Sequence, residues 1–133
     1  MSAVPRLFSY ADLKDMPVDG NWYEVVAGEL VLTPAPRFEH QFVHLNLLEF
    51  LKTRLEEEGR WRAFPVPIDF VVGPYDVGQP DIMVLEIREV DRFRETGFVD
   101  RPPRVIVEIL SLRTASVNLR AKLSLYARFG VPD

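Results

Sequence analysis

A glutamate, an aspartate and a lysine each stand where the surrounding pattern calls for hydrocarbon. Glu108 lies inside the run Val105-Ile106-Val107-Glu108-Ile109-Leu110. A short β-branched run of this kind reads as a strand covered on both faces. Alternation puts Glu108 on the face of Ile106 and Leu110. A carboxylate there costs several kcal/mol unless a partner, a metal or a proton compensates it. Asp81 follows Pro80 and opens a second apolar strand, Ile82-Met83-Val84-Leu85, sharing the face of Met83 and Leu85. At about 100° per residue, Ala115, Leu119, Lys122, Tyr126 and Phe129 form one stripe of the last helix, with Lys122 at its centre. Arg120, Ser124 and Arg128 fall on the opposite, wet face, so Lys122 points inward.

These residue types suit metal-assisted phosphoryl chemistry. Two carboxylates whose remaining coordination positions are filled by water and a phosphate suit Mg²⁺ or Mn²⁺. A lysine beside them can orient or deprotonate an attacking water and stabilise developing phosphate charge. Glu24 shares a strand face with Trp22 and Val26 and is a further candidate carboxylate. Each residue also has a plain structural reading. Asp81 can close a Gly-Pro-rich loop, Lys122 can neutralise Glu108 or extend its ammonium outward, and Glu24 can face solvent from a hairpin.

The segment His40-Gln41-Phe42-Val43-His44 has the histidine spacing of a zinc protease helix, but Gln41 replaces the glutamate that would be the general base. Both histidines lie on the stripe of Leu47, Leu51 and Leu55, which favours packing over zinc. His40, at the helix start, can still reach the carboxylates or a phosphate. No glycine-rich phosphate loop, serine elbow or cysteine nucleophile is present. Trp22, Tyr23, Trp61 and Phe64 read as core rather than as a base-stacking platform.

The elements that must position these residues follow in a clear order. Ser9-Tyr10-Ala11-Asp12 resembles a capping box opening a short helix. Trp22–Ala27 is a strand, turned by Gly28-Glu29 into Leu30–Thr33. A long helix runs from about Arg37 to Glu58 and stops at Gly59. Trp61–Val72 is extended and made irregular by Pro65 and Pro67. Gly73–Gly78 is a loop, Asp81–Leu85 a strand, and residues 86–103 a charged connection with one helical turn. The Glu108 strand and a helix from about Thr114 to Phe129 complete the order, with Gly130 as cap. The fold class is α/β: a mixed central sheet flanked by helices, with an N-terminal hairpin.

The chain has 133 residues, 47% hydrophobic and 27% charged, as expected of one globular domain over residues 1–133. It has no cysteine, which excludes disulfides and thiolate metal sites. The lack of a long apolar stretch and of a signal-peptide core predicts a cytoplasmic protein without membrane contact. The net charge of −4 gives no global attraction to nucleic acid. Its distribution is uneven: residues 1–86 carry 7 basic and 14 acidic side chains, residues 87–133 carry 9 and 6. The basic C-terminal part, Arg113 included, supplies candidate phosphate contacts, although most of these arginines read as solvated surface.

Several segments together resemble the Uma-type restriction endonuclease family, within the PD-(D/E)XK nuclease superfamily. They are Tyr23-Glu24-Val25-Val26-Ala27-Gly28-Glu29-Leu30, Pro34-Ala35-Pro36 with His40-Gln41, Gln79-Pro80-Asp81-Ile82, Val107-Glu108-Ile109-Leu110-Ser111, and Lys122 with Leu125-Tyr126 and Gly130-Val131-Pro132. The resemblance implies a restriction-endonuclease-like core and a Mg²⁺-dependent DNA endonuclease. Asp81 and Glu108 would be metal ligands, with the Ile109 carbonyl beside them. Lys122 would be the catalytic lysine, Glu24 a supporting carboxylate, and His40 and Arg113 substrate contacts. The lysine usual two residues after the second acid is replaced by Leu110, and the family moves it to the next helix. Two departures stand out. Ser111-Leu112-Arg113-Thr114 lacks the family's proline, and the strand that usually follows Gly-Val-Pro is missing. The expectation is therefore a C-terminally shortened domain, either a fragment or one completed through a partner in a homo-oligomer. The competing expectation is a non-catalytic binding or assembly module, or an inactive remnant, of the same fold.

Overall fold

The computed structural model describes residues 6–110 and 118–133. Four helices and seven strands lie among them: α1 (Tyr10–Leu13), β1 (Trp22–Val26), β2 (Glu29–Thr33), α2 (Phe38–Glu56), β3 (Trp61–Pro65), β4 (Phe70–Gly73), β5 (Asp76–Gly78), β6 (Ile82–Glu86), α3 (Val90–Thr96), β7 (Val105–Val107) and α4 (Asn118–Phe129). The α/β class and the N-terminal hairpin are as expected. The strands form two antiparallel sheets, in the orders β2-β1-β5-β4 and β3-β6-β7, where a single mixed sheet was expected. The parallel pairing found among the described residues is an isolated bridge between Phe70 and Val99.

β6 is the central strand of the second sheet and is covered on both faces. Ile82 and Val84 pack with Ala63 against Leu47, Leu48, Leu51 and Leu55 of α2. Met83 and Leu85 point the other way, into a core shared with Val26, Val31, Phe70, Leu125 and Tyr126. The period-2 alternation of β6 thus separates two cores. The first ties the second sheet to α2, and the other ties it to the first sheet and α4. Apolar residues also stand on the outer face of α2, where Phe38, Phe42 and Leu45 are exposed at helical spacing.

The hairpin turn falls on Ala27-Gly28, one residue before the expected Gly28-Glu29. Both residues have positive φ, 50° and 77°, as a two-residue type I′ turn demands. Ala27 tolerates this conformation because its N–H is fixed on Asp76 Oδ1 at 2.7 Å. Gly28 also lies close to Leu7, whose exposed side chain would have to move to admit a Cβ there. Other elements depart further from expectation. The glycine-rich stretch expected as a loop contributes β5, which pairs with both β1 and β4. The long extended segment splits into β3 and β4, and the charged connection contains α3 as well as a 3₁₀ turn over Ile87–Glu89. The first turn expected of the last helix lies outside the described residues, as does Arg113.

The Glu108 strand is shorter and less buried than its composition implies. β7 ends at Val107, and its three residues are only partly buried. The cause lies in its partner. Val107 pairs with Ile82, the first residue of β6, so no strand remains for Glu108 to pair with. One more step of the same register places Asp81 opposite Glu108. The backbone N–H of Ile109 donates instead to the Asp81 carboxylate, Oδ2, at 2.6 Å. Both acids therefore stand just outside their strands, at the mouth of the sheet.

Candidate active site

Asp81 is held from four directions. Its carbonyl accepts from Val66 N–H at 3.0 Å and from His44 Nε2 at 2.8 Å. Its carboxylate accepts from Ile109 N–H on Oδ2 and meets His40 Nε2 at 3.2 Å on Oδ1. His40 and His44 are four residues apart on α2 and so face the same way. That shared direction, which mimics a zinc motif, serves to clamp Asp81, with His44 Nε2 necessarily carrying the proton it gives to a carbonyl. Asp81 is 4% exposed and its position is over-determined.

Glu24 reaches the same place from β1 and is 2% exposed. Its Oε2 accepts from Gln79 N–H at 2.8 Å, and its Oε1 accepts from Lys122 Nζ at 3.0 Å. Lys122 also stands 3.2 Å from Glu108 Oε1. That oxygen accepts from the Tyr126 hydroxyl as well, at 2.7 Å. Lys122 and Tyr126 are one turn apart on α4, so a single helix face delivers both donors to Glu108. Gly78 makes room for the arrangement: a Cβ there would lie 3.1 Å from the Tyr126 hydroxyl and 3.4 Å from Glu24 Oε2.

The electrostatics follow from two carboxylates on one ammonium, with a third, Asp81, acting on Glu108. Burial pushes the Glu108 carboxyl up to about 7; Glu24 and Asp81 add to the rise, while Lys122 and the Tyr126 hydrogen bond oppose it. Burial alone would lower the Lys122 ammonium, but Glu24 and Glu108 outweigh it and hold the pKa above the usual lysine value. Lys122 is therefore a cation at neutral pH, suited to orienting and charge stabilisation rather than to accepting a proton. Tyr126 is raised too, by burial first and then by Glu108 and Glu24, and stays a donor.

The site opens into a cavity of about 640 Å³ between the hairpin, the start of α2, the segment after β7 and α4. Glu24, Asp81, Glu108, Lys122 and His40 all border it, so five of the six residues singled out from sequence converge. The sixth, Arg113, lies outside the described residues. Sequence reasoning left His44 and Tyr126 without a role, and did not single out the Gln79 side chain. His44 read as packing, and only its spacing from His40 hinted otherwise. Tyr126 lay on the correct stripe of α4, but a tyrosine on an apolar stripe carries no signal of its own. Gln79 gives its side-chain N–H to Asp69 at 2.9 Å, and Asp69 in turn accepts from the Tyr10 hydroxyl at 3.0 Å. The Gln79 amide is thereby fixed with its Oε1 buried and unpartnered. Trp22, expected in the core, borders the cavity.

The donor set can be weighed against a metal. The cavity offers carboxylate and amide oxygens, which hard divalent cations prefer. Among the described residues no three His, Asp or Glu side chains are grouped to enclose an ion by themselves. The arrangement fits a cation held by one or two carboxylates and otherwise by water and substrate, which is how Mg²⁺ is commonly bound.

The mixed α/β fold, with a carboxylate cluster and an inward lysine in one cavity, is the arrangement expected of a restriction-endonuclease-like protein. Residues 10–133 match the Uma2 family, described as "Putative restriction endonuclease". The chain belongs to that family. Its fold is similar to that of "a putative nuclease belonging to DUF820" from Anabaena variabilis ATCC 29413, known from a crystal structure at 1.96 Å resolution. The two share 18% identity with a TM-score of 0.75, over 93% of this chain and 70% of the other. No curated protein matches the chain in sequence.

Proposed function

We propose that the protein is a divalent-metal-dependent endonuclease that hydrolyses DNA phosphodiester bonds. The observation that carries this reading is the sharing of Lys122 by Glu24 and Glu108 in a cavity that Asp81 also borders. Asp81 and Glu108 would hold Mg²⁺ or Mn²⁺, in the manner of a PD-(D/E)XK site with a displaced lysine. When bound, the cation would stabilise negative charge on the phosphate and activate water at neutral pH. His40 and Ile109 N–H fix the Asp81 carboxylate, and His44 holds the Asp81 carbonyl. Lys122 supplies a fixed positive charge for the scissile phosphate. Glu24 keeps Lys122 ionised and aimed. Tyr126 holds one oxygen of Glu108 and thereby its rotamer.

A second reading has one observation in its favour. Lys122 already satisfies Glu24 and Glu108, as a structural charge cluster in a non-catalytic binding or assembly module would. Metal binding separates the two. At a hundred times its Kd, Mg²⁺ or Mn²⁺ stabilises the folded state by about 2.7 kcal/mol, and a rise in Tm reads this out. Glu108→Ala should abolish the rise. If neither ion raises the wild-type Tm, and neither supports cleavage of any form of DNA, the endonuclease reading is wrong.

A further inference from the structure

The cavity beside the carboxylates has two unlike sides. One is the charged floor already described. The other is apolar: Trp22 and Leu32 come from the hairpin, Pro34 from the segment after it, and Leu110 from the segment after β7. Leu32 and Leu110 remain 53% and 51% exposed, so hydrocarbon faces solvent at the rim of a polar site. Trp22 stands edge-on to His40, with centroids 6.1 Å apart, and His40 holds Asp81. The aromatic wall is therefore one side chain removed from the first acid.

Charge disfavours a paired duplex as the occupant. Among the described lining residues the cations are Arg37 and Lys122, against Glu24, Glu39, Asp81 and Glu108. Lys122 is already engaged by two of those acids. Duplex binding draws its affinity from many lysines and arginines set along two phosphate backbones, and this wall offers tryptophan, leucine and proline instead. A single nucleotide has the matching dual character, an apolar base face and one phosphate.

Resting on the endonuclease reading, we infer that the substrate is DNA with an unpaired nucleotide, from a single strand or a locally opened duplex. Its base stacks on Trp22 between the leucines of the rim, and its phosphate lies toward Lys122.

The inference is tested by fluorescence anisotropy in the presence of Ca²⁺. The probes are a single-stranded oligonucleotide, the fully paired duplex of the same sequence, and that duplex with a central unpaired bubble. The single strand and the bubble are expected to bind at least about tenfold more tightly than the paired duplex and to quench tryptophan emission. Trp22→Leu should remove most of the quench and weaken single-strand binding by roughly tenfold to a hundredfold, the range for loss of one stacked base. Leu110→Ala, at an exposed position, should weaken it severalfold and guards against a Trp22 variant that fails to fold. Equal or tighter binding of the paired duplex would overturn the inference. So would Trp22→Leu and Leu110→Ala variants that fold and bind the single strand as the wild type does. If the metal shift is present but the duplex is preferred, only this inference fails. If no probe binds and no metal shift is seen, the endonuclease reading falls with it.

Discussion

At the scale of single residues, the site is governed by how one ammonium is shared among buried acids. Glu108 bears the cost, because its burial outweighs the help of Lys122 and of the Tyr126 hydroxyl. Its carboxyl titrates near 7 in the folded chain against an ordinary value of 4.5. The folded state therefore holds a proton that the unfolded chain has released between those values. Stability from this group is complete below about pH 4.5 and is lost as pH rises to about 7, by about 3 kcal/mol at most. Glu108→Gln removes the titration. In metal-free buffer, the stability of the wild type relative to Glu108→Gln should fall between pH 4.5 and 7 and be level above it, as followed by urea denaturation. A difference independent of pH would show that Glu108 is not buried among acids as described. Much of this scale was legible beforehand, since an acid in an apolar strand and a lysine on an apolar helix stripe are visible as breaks in periodicity. Gln79 and His44 were not, because their roles depend on tertiary partners, Asp69 and the Asp81 carbonyl, that no spacing reveals.

At the scale of elements, position follows from register. Antiparallel pairing of β6 and β7 sets Ile82 opposite Val107, and this alone brings the next residues, Asp81 and Glu108, to one end of the sheet. Sequence patterning correctly read two apolar strands headed or followed by acids. It overextended β7, because composition records β-branched residues and not the length of the partner strand. The β5 strand was missed for a related reason: a run of Gly, Pro and Asp signals a turn, while β5 is held by pairing with two neighbours. The β1–β2 hairpin delivers Glu24 through its turn. Gly28→Ala would put a Cβ against Leu7 and hold alanine in a left-handed conformation that costs ~1–2 kcal/mol per residue. A loss of at least that size is expected in chemical denaturation, with weakened metal stabilisation if the hairpin shifts Glu24. A variant as stable as the wild type would contradict the turn geometry.

At the scale of the whole molecule, two cores meet at β6 and leave one cavity bordered by elements from both halves of the sequence. α2 brings the histidines across one face of the second sheet, and α4 brings lysine and tyrosine across the other. No single segment contains the site, so the family is identified by the order of distant pieces rather than by one motif. No helix among the described residues is long and apolar enough to cross a membrane. The proposed metal site of Asp81 and Glu108, within reach of Lys122, is tested most directly by the anomalous signal of Mn²⁺ in crystals of the full chain soaked with that ion. One peak is expected between the Asp81 and Glu108 carboxylates, on the cavity side of Lys122. A crystal in which Mn²⁺ binds elsewhere, with the Lys122 contacts to Glu24 and Glu108 intact and no peak between the two acids, would contradict it.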